Sequence, residues 1–449
     1  MNIITGMMSK ALFVLFVFGF VWPLKLQAQN TELPARAFTN VIIHTADGSV
    51  IEQGSIVWRG GVIESVGRNV SIPFDARVID GGDSLHVYPG FINGFATWGT
   101  PERERFRTPA PIPGFPEYAR AGIQPDRHPV QLIEDRPIFK EALKNGFSAT
   151  NIGLSGYMLP GQIAHFPLAD TDIKHGIMGS PLGQSFQFEF VQGAYPSTLM
   201  GVMARLRQLF FDAEAYRSHH ALFASGSAQG ISVPAKDDVL EALIPIKNKQ
   251  IPYFAFADNP ADILRMFRLQ DELGFNMVLV GATQAAPMAS EIKRRGIPVL
   301  VRLELPKKPD WMKEAKSEKD EEATLEVEAL SAEVANFRAR QAEEFESRMN
   351  NIRTLLDAGI MVGATWNGTR FNEFHNVINA LVEHGYTHDE LLAMLTINSA
   401  RATGLSRVGD LKPGMIANIA VFSDKAFSKG TKVLYTVSAG KMYNTENLD

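Results

Sequence analysis

Hydrophobic and polar positions change rhythm twice along the chain. From Ala37 to about Tyr88, short β-branched runs alternate with glycine turns, as in NVIIHTADGSV, GSIVWRGGVIESVG and ARVIDGGDSLHVYPG. Strands of this kind, bounded by turn residues, predict a small all-β unit. The same texture returns only at the far end, in MIANIAVFSDKAF and TKVLYTVSAGKMYN. Two half-sets of strands at opposite ends of a chain are satisfied most economically by pairing with each other, because an isolated hairpin is marginal. The expected arrangement is one sheet assembly built from residues 33–89 and 406–449, with residues 90–405 inserted into it.

Inside that insert the rhythm is different. Continuous apolar runs (QIPYFAFAD, NMVLVGA, IPVLVRL, IMVGATW) are separated by helix-like stretches such as NPADILRMFRLQDELGF and QAAPMASEIKRRG. Strands covered on both faces and spaced by amphipathic helices are the pattern of parallel β/α units. Several in a row predict a closed α/β barrel, with a doubly wound open sheet as the alternative. Two interruptions stand out. Residues 100–129, rich in proline and arginine, predict an irregular loop after the first barrel strand, at the carboxyl-end face where barrels keep their sites. There Arg103, Arg105, Arg107 and Arg120 either meet an anion or an acidic partner, or are solvated surface residues. Residues 307–351 begin with mixed charges and continue in an amphipathic stripe (Val327, Leu330, Val334, Phe337, Phe345, Met349, Ile352), read as a helix packing on its own domain or, less conservatively, binding a partner.

The amino terminus departs from both rhythms. Lys10 precedes the apolar run ALFVLFVFGFVWPL, followed by Lys25 and the small-residue segment LQAQ. The run is shorter than the roughly 20 residues of a spanning helix. It reads as a signal peptide over residues 1–28, cleaved near Ala28–Gln29, which predicts an exported, periplasmic or secreted protein; an uncleaved anchor is the other reading. The mature chain is expected to lack a transmembrane span. A net charge of −5, from 44 basic and 49 acidic side chains, leaves no basic excess for a phosphate backbone and argues against nucleic acid. With no cysteine, disulfides and thiolate metal sites are excluded.

Three stretches carry a resemblance: VIDGGDSLHVYPGFIN, IPYFAFADNPADI and MLTINSARATGLSRVGDLKPGMIANIAVF. Together they make the chain similar to the amidohydrolase superfamily, in particular to imidazolonepropionase-like and related exported amidohydrolases. That resemblance implies a distorted (β/α)8 TIM barrel with a composite β-sandwich. It also implies metal-dependent hydrolysis of C–N bonds other than peptide bonds. The chemistry needs one or two divalent cations, usually zinc, to acidify a bound water, and a carboxylate to take its proton.

Followed strand by strand, the positions that the resemblance assigns to metal ligands are changed. The pattern Asp-x-His-x-His becomes Asn93, Phe95 and Thr97; the histidine before Ala257 and Asp258 becomes Phe256; the next strand offers Val280 and Gly281; and the last reads Ala364, Thr365 and Trp366 where Gly-Thr-Asp or Gly-Ser-Asp is expected. A phenyl ring has no lone pair, and a neutral hydroxyl is a poor zinc ligand. The expectation is that no metal is bound and that Phe95, Phe256 and Trp366 form an aromatic plug. Asp258, His128 and His375 remain as catalytic candidates, with Asp258 also read as a cap on the helix that follows it. The predicted function is a non-catalytic binding or regulatory homologue, partnered by an active amidohydrolase or by a small-molecule ligand at the barrel mouth. The alternative is a divergent amidohydrolase acting on a small amide or cyclic C–N substrate, with zinc.

Overall fold

Both ends of the chain do meet in one sheet. A computed structural model describes residues 33–448, apart from 107, 109, 135–136, 170–180, 227–229, 231 and 313–331. The predicted signal segment, Arg107, His175, Val327 and Leu330 therefore lie outside the described residues. The unit Ala35–Asp449 contains two eight-stranded sheets. The first joins β1 (Arg36–His44), β2 (Val50–Arg59), β3 (Val62–Gly67), β4 (Arg77–Asp80) and β5 (His86–Pro89) to β14 (Ile419–Phe422), β15 (Val433–Ser438) and β16 (Lys441–Asn444). Its order is β16-β15-β14-β5-β1-β2-β3, with β4 paired beside β5 along β1. The two half-sets join where β5 runs antiparallel to β14. The two layers expected of a sandwich belong to this single connected sheet, which folds back on itself. Ile63 N–H donates to Met415 O, Ala417 N–H to Gly61 O, and the Trp58 indole to Gly440 O. Phe38, Ile56, Trp58, Val87, Ile419 and Val437 fill the interior.

The second sheet runs in chain order: β6 (Phe91–Ala96), β7 (Phe147–Ile152), β8 (Gln162–Pro167), β9 (Gly183–Gln187), β10 (Tyr253–Ala257), β11 (Met277–Gly281), β12 (Val299–Arg302) and β13 (Val362–Thr365). Its helices include α1 (Pro137–Lys144), α2 (Leu199–Ala224), α3 (Asp238–Lys247), α4 (Pro260–Leu273), α5 (Ala289–Arg295), α6 (Ala332–Met349), α7 (Asn351–Asp357), α8 (Phe371–Glu383), α9 (His388–Ala393) and α10 (Ser399–Ala402). The sheet is a nearly closed barrel with one irregularity: β8 is antiparallel to both β7 and β9. Residues 153–161 that join β7 to β8 are too few for the crossover a parallel return requires, about a dozen residues. Alternate positions divide the layers. Phe254, Val278 and Leu300 pack inside the barrel, whereas Tyr253, Ala255, Leu279 and Val301 join the larger core beneath the helices.

The free edge of β13 is closed against β6 by side chains. Asn93 on β6 donates through Nδ2 to Trp366 O (2.6 Å) and accepts from Trp366 N–H through Oδ1 (2.9 Å). Lower on the same edge, Ser399 Oγ accepts from Ala364 N–H (3.0 Å) and donates to Met394 O (2.7 Å), while Asn398 Nδ2 donates to Val362 O (3.0 Å). Residues Met394–Asn398 form a turn of π-helix, a local widening that accompanies this docking. The segment TINSAR thus supplies the partners that backbone groups of an unpaired, buried strand edge require.

A capping box, Thr387–Glu390, opens α9. The stripe near 327–352 breaks at Asn350, and none of its residues in α6 is buried; Val334 and Phe337 are exposed. Burial falls instead to Ile352 and Leu355 on α7. Among the described residues no helix is long and apolar enough to cross a membrane.

His165, on β8, faces the barrel interior and is fully buried. Asn151 donates through Nδ2 to Gly94 O (3.1 Å), which leaves its Oδ1 to accept from His165 Nδ1–H (2.7 Å). The other ring nitrogen, Nε2, has no partner among the described residues, and burial holds the imidazole neutral, its pKa down to about 4 from 6.5.

Two outcomes follow from these contacts. Asn93→Leu strands both Trp366 backbone groups and should cost about 2–4 kcal/mol in urea unfolding; a variant as stable as the parent would show that the seam is held by other means. For His165, the unfolded chain takes up a proton near 6.5 and the folded chain only near 4, so its contribution is complete above 6.5 and is lost as pH falls through that window. His44, also lowered to about 4, acts in the same direction. The urea midpoint should fall between those pH values, and His165→Gln should flatten the slope by up to about 3 kcal/mol; an unchanged slope would contradict the assignment.

Candidate functional site at the barrel mouth

Where the barrel strands end, the inward positions are set by their alternation. They are Phe95 on β6, Phe256 on β10, Val280 on β11, Arg302 on β12 and Thr365 on β13. Phe95 and Phe256 meet edge to face with ring centroids 4.8 Å apart, a favoured geometry for aromatic pairs. Val280 lies in the same apolar cluster, over Phe254, Val278 and Leu300. Phe95 and Val280 are buried and Phe256 half-buried.

Thr97 is not a ligand in waiting. Its N–H donates to Asn367 Oδ1 (2.7 Å) and its hydroxyl donates to the same oxygen (3.2 Å), tying the end of β6 to the loop after β13. Trp366 departs from the expected plug. One residue beyond the inward Thr365, its side chain points to the opposite face. The indole packs outside the barrel wall against Phe374 of α8, centroids 5.8 Å apart. The plug therefore consists of Phe95 and Phe256 without Trp366.

Asp258 remains at the mouth, about as exposed as its partner Arg302. Arg302 Nη2 donates to Asp258 Oδ2 (2.6 Å), Thr283 Oγ1 donates to Asp258 Oδ1 (3.2 Å), and Arg302 Nε donates to Glu304 Oε2 (2.8 Å). The flanking carboxylates raise the Arg302 pKa against the opposing effect of burial. Asp258 is not the cap of α4. That role belongs to Asn259, whose Oδ1 accepts from Asp262 N–H (2.9 Å). The Asp258 carboxylate turns instead over Gly281, where a Cβ would lie 2.6 Å from Oδ1, and Gly281 has a φ of +93°. Glycine at the end of β11 thus makes room for the carboxylate.

His128 caps the short turn Pro129–Gln131, its Nδ1 accepting from Val130 N–H (3.2 Å), and burial lowers its pKa. His375 sits on α8 with Nε2 2.6 Å from Asn145 Oδ1. Asn145 lies two residues before β7, so His375 belongs to the amino-end side of the barrel. Following a strand in sequence did not bring it to the mouth, because α8 carries it back along the outside. In the 100–129 loop, Arg103 pairs with Glu189 (2.6 Å) and Arg120 lies over the Phe106 ring (4.9 Å). Sequence reasoning missed Arg302 as the partner of Asp258 and His165 as a barrel-interior residue; a basic residue at an inward strand end was the only available signal for the first.

These residues do not fit a divalent cation. Three of the inward strand ends offer only carbon, Thr365 offers a neutral hydroxyl, Thr97 is engaged, and the carboxylates of Asp258 and Glu304 are both paired with the Arg302 guanidinium, whose charge opposes a cation. Among the described residues no group of three or more histidine, aspartate or glutamate side chains is placed to hold a metal.

Comparison with known proteins agrees with the architecture. The amidohydrolase family model matches residues 276–443, from β11 to β16. An amidohydrolase from Thermotoga maritima superposes with a TM-score of 0.70 at 21% identity, covering 91% of this chain and 100% of that one. A prolidase complexed with N-methylphosphonate-L-proline gives 0.51 at 13% identity (91% and 99% covered). Ochratoxinase of A. niger gives 0.51 at 12% identity (93% and 97% covered). No curated protein matches by sequence. At these identities the solved structures speak for the fold alone. The family match runs through the second half of the barrel and back into the composite sheet, and over the rest of the chain the likeness to these solved structures is one of fold.

Proposed function

We propose that this protein is an exported, non-catalytic member of the superfamily that acts by binding, as a regulatory homologue of an active amidohydrolase. The observation that carries the reading is the contact of Phe95 with Phe256 at 4.8 Å, on strand ends where the superfamily chemistry requires nitrogen donors. Fold inheritance does not supply activity, which resides in the site. A cation placed among these rings would exchange its hydration shell for carbon, a loss no neighbouring group offsets. Asp258 and Arg302 give the mouth a polar rim beside an apolar floor, a combination suited to holding a small organic molecule.

One observation favours the second reading, a divergent amidohydrolase. Asp258 keeps a partly exposed carboxylate at the mouth, able to accept a proton, beside a guanidinium able to hold a developing oxyanion. His375, at the amino-end side beside Asn145, adds nothing to it.

A substrate screen on the exported chain separates the two. Protein recovered from the periplasm or medium should begin near Gln29 on amino-terminal sequencing. Against simple amides, cyclic amides and N-acyl amino acids, with and without added zinc, it should give no turnover above that of Asp258→Asn. Hydrolysis abolished by that substitution would establish the second reading, and an intact amino terminus would remove export from the first.

A further inference from the structure

We propose that the cleft where the barrel meets the composite sheet, on the side away from the mouth, binds an amphipathic organic anion bearing a single charge. The cleft has a volume of about 820 Å³ and lies between α8, the residues just before β7, and the loop 427–433 that joins β14 to β15. That volume falls within the roughly 300–1,000 Å³ usual for small-molecule sites.

Its floor is aromatic. Phe427 presents its ring to the cleft, over Phe91, Phe374 and Phe422, which are buried behind it. Phe427 stacks on Phe91 with centroids 5.6 Å apart and planes 14° from parallel. It does so from a backbone φ of +66°, in the left-handed region that a bulky side chain rarely occupies. Such a conformation costs of order 1–3 kcal/mol and persists where the surroundings or a function require the ring to be there.

The rim is charged unevenly. Lys429 and Lys432 stand exposed on the 427–433 loop and take part in no ion pair among the described residues, whereas Lys144 is held by Glu141 at 3.0 Å. Between the two lysines, the Thr431 hydroxyl is buried without a hydrogen-bond partner among the described residues. Two exposed ammonium groups without an ion pair among the described residues, on one loop, are a place for an oxyanion. Glu383 and Glu446 on the remaining wall oppose a second negative charge. The arrangement therefore places one anionic head at Lys429 and Lys432, with an apolar body across Phe427.

Dodecanoate is a direct probe, titrated calorimetrically into the full mature chain below its micellar concentration. Saturable binding at one site per chain is expected, with dodecanol and dodecyltrimethylammonium weaker by about tenfold or more. Lys429→Glu with Lys432→Glu should weaken dodecanoate by at least about tenfold, since reversal of rim charges acts at close range. Phe427→Gly, which relieves the positive φ, should leave the melting temperature no lower while also weakening binding. Equal binding of the three C12 compounds, indifference to the lysine reversal, or binding only to anionic phospholipid vesicles and not to monomeric dodecanoate would each overturn the proposal.

Discussion

A buried strand edge must find partners for its backbone, and in this barrel β13 finds them in side chains. Asn93, Asn398 and Ser399 satisfy the Trp366, Val362 and Ala364 groups that face β6. This constraint depends on hydrogen bonding alone and is indifferent to catalysis. It gives GFIN and TINSAR a structural role that is independent of any chemistry at the mouth. So long as the seam holds, the ends of β6 and β13 stay where a metal site would need them, whatever residues they carry.

What those residues now contribute is packing. Phe95 and Val280 are buried against the barrel's apolar interior, and full burial of a side chain of this kind is worth about 1.5–3 kcal/mol. Polar groups survive at the mouth only where they have partners: Asp258 with Arg302 and Thr283, Thr97 with Asn367. The aromatic surface with unmatched charge lies instead on the other side, at the junction with the composite sheet.

Much of this was legible in the sequence, for physical reasons that differ element by element. The two strand-rich ends had to pair, and β5 with β14 is where they do. The order of strands and helices after β9 follows from apolar runs that only a doubly covered sheet can bury. The reversal of β8 was not legible, because QIAHFP alternates identically in either direction, and with it the inward course of His165 was hidden. The helix cap could have been Asp258 or Asn259; the choice was made by Arg302, which is distant in sequence and claims the aspartate. Trp366 was misassigned by one residue of alternation, enough to send its ring through the wall. The stripe on α6 predicted burial that the neighbouring elements do not provide.

The central claim is that apolar packing has replaced metal ligation at the strand ends. Crystals of the mature chain grown with excess zinc, with anomalous diffraction recorded at the zinc edge, test it most directly. The account predicts no anomalous peak between the ends of β6, β10, β11 and β13, and Phe95 seated on Phe256 in the electron density. A zinc peak there with protein nitrogen or oxygen ligands at about 2.0–2.2 Å would contradict it.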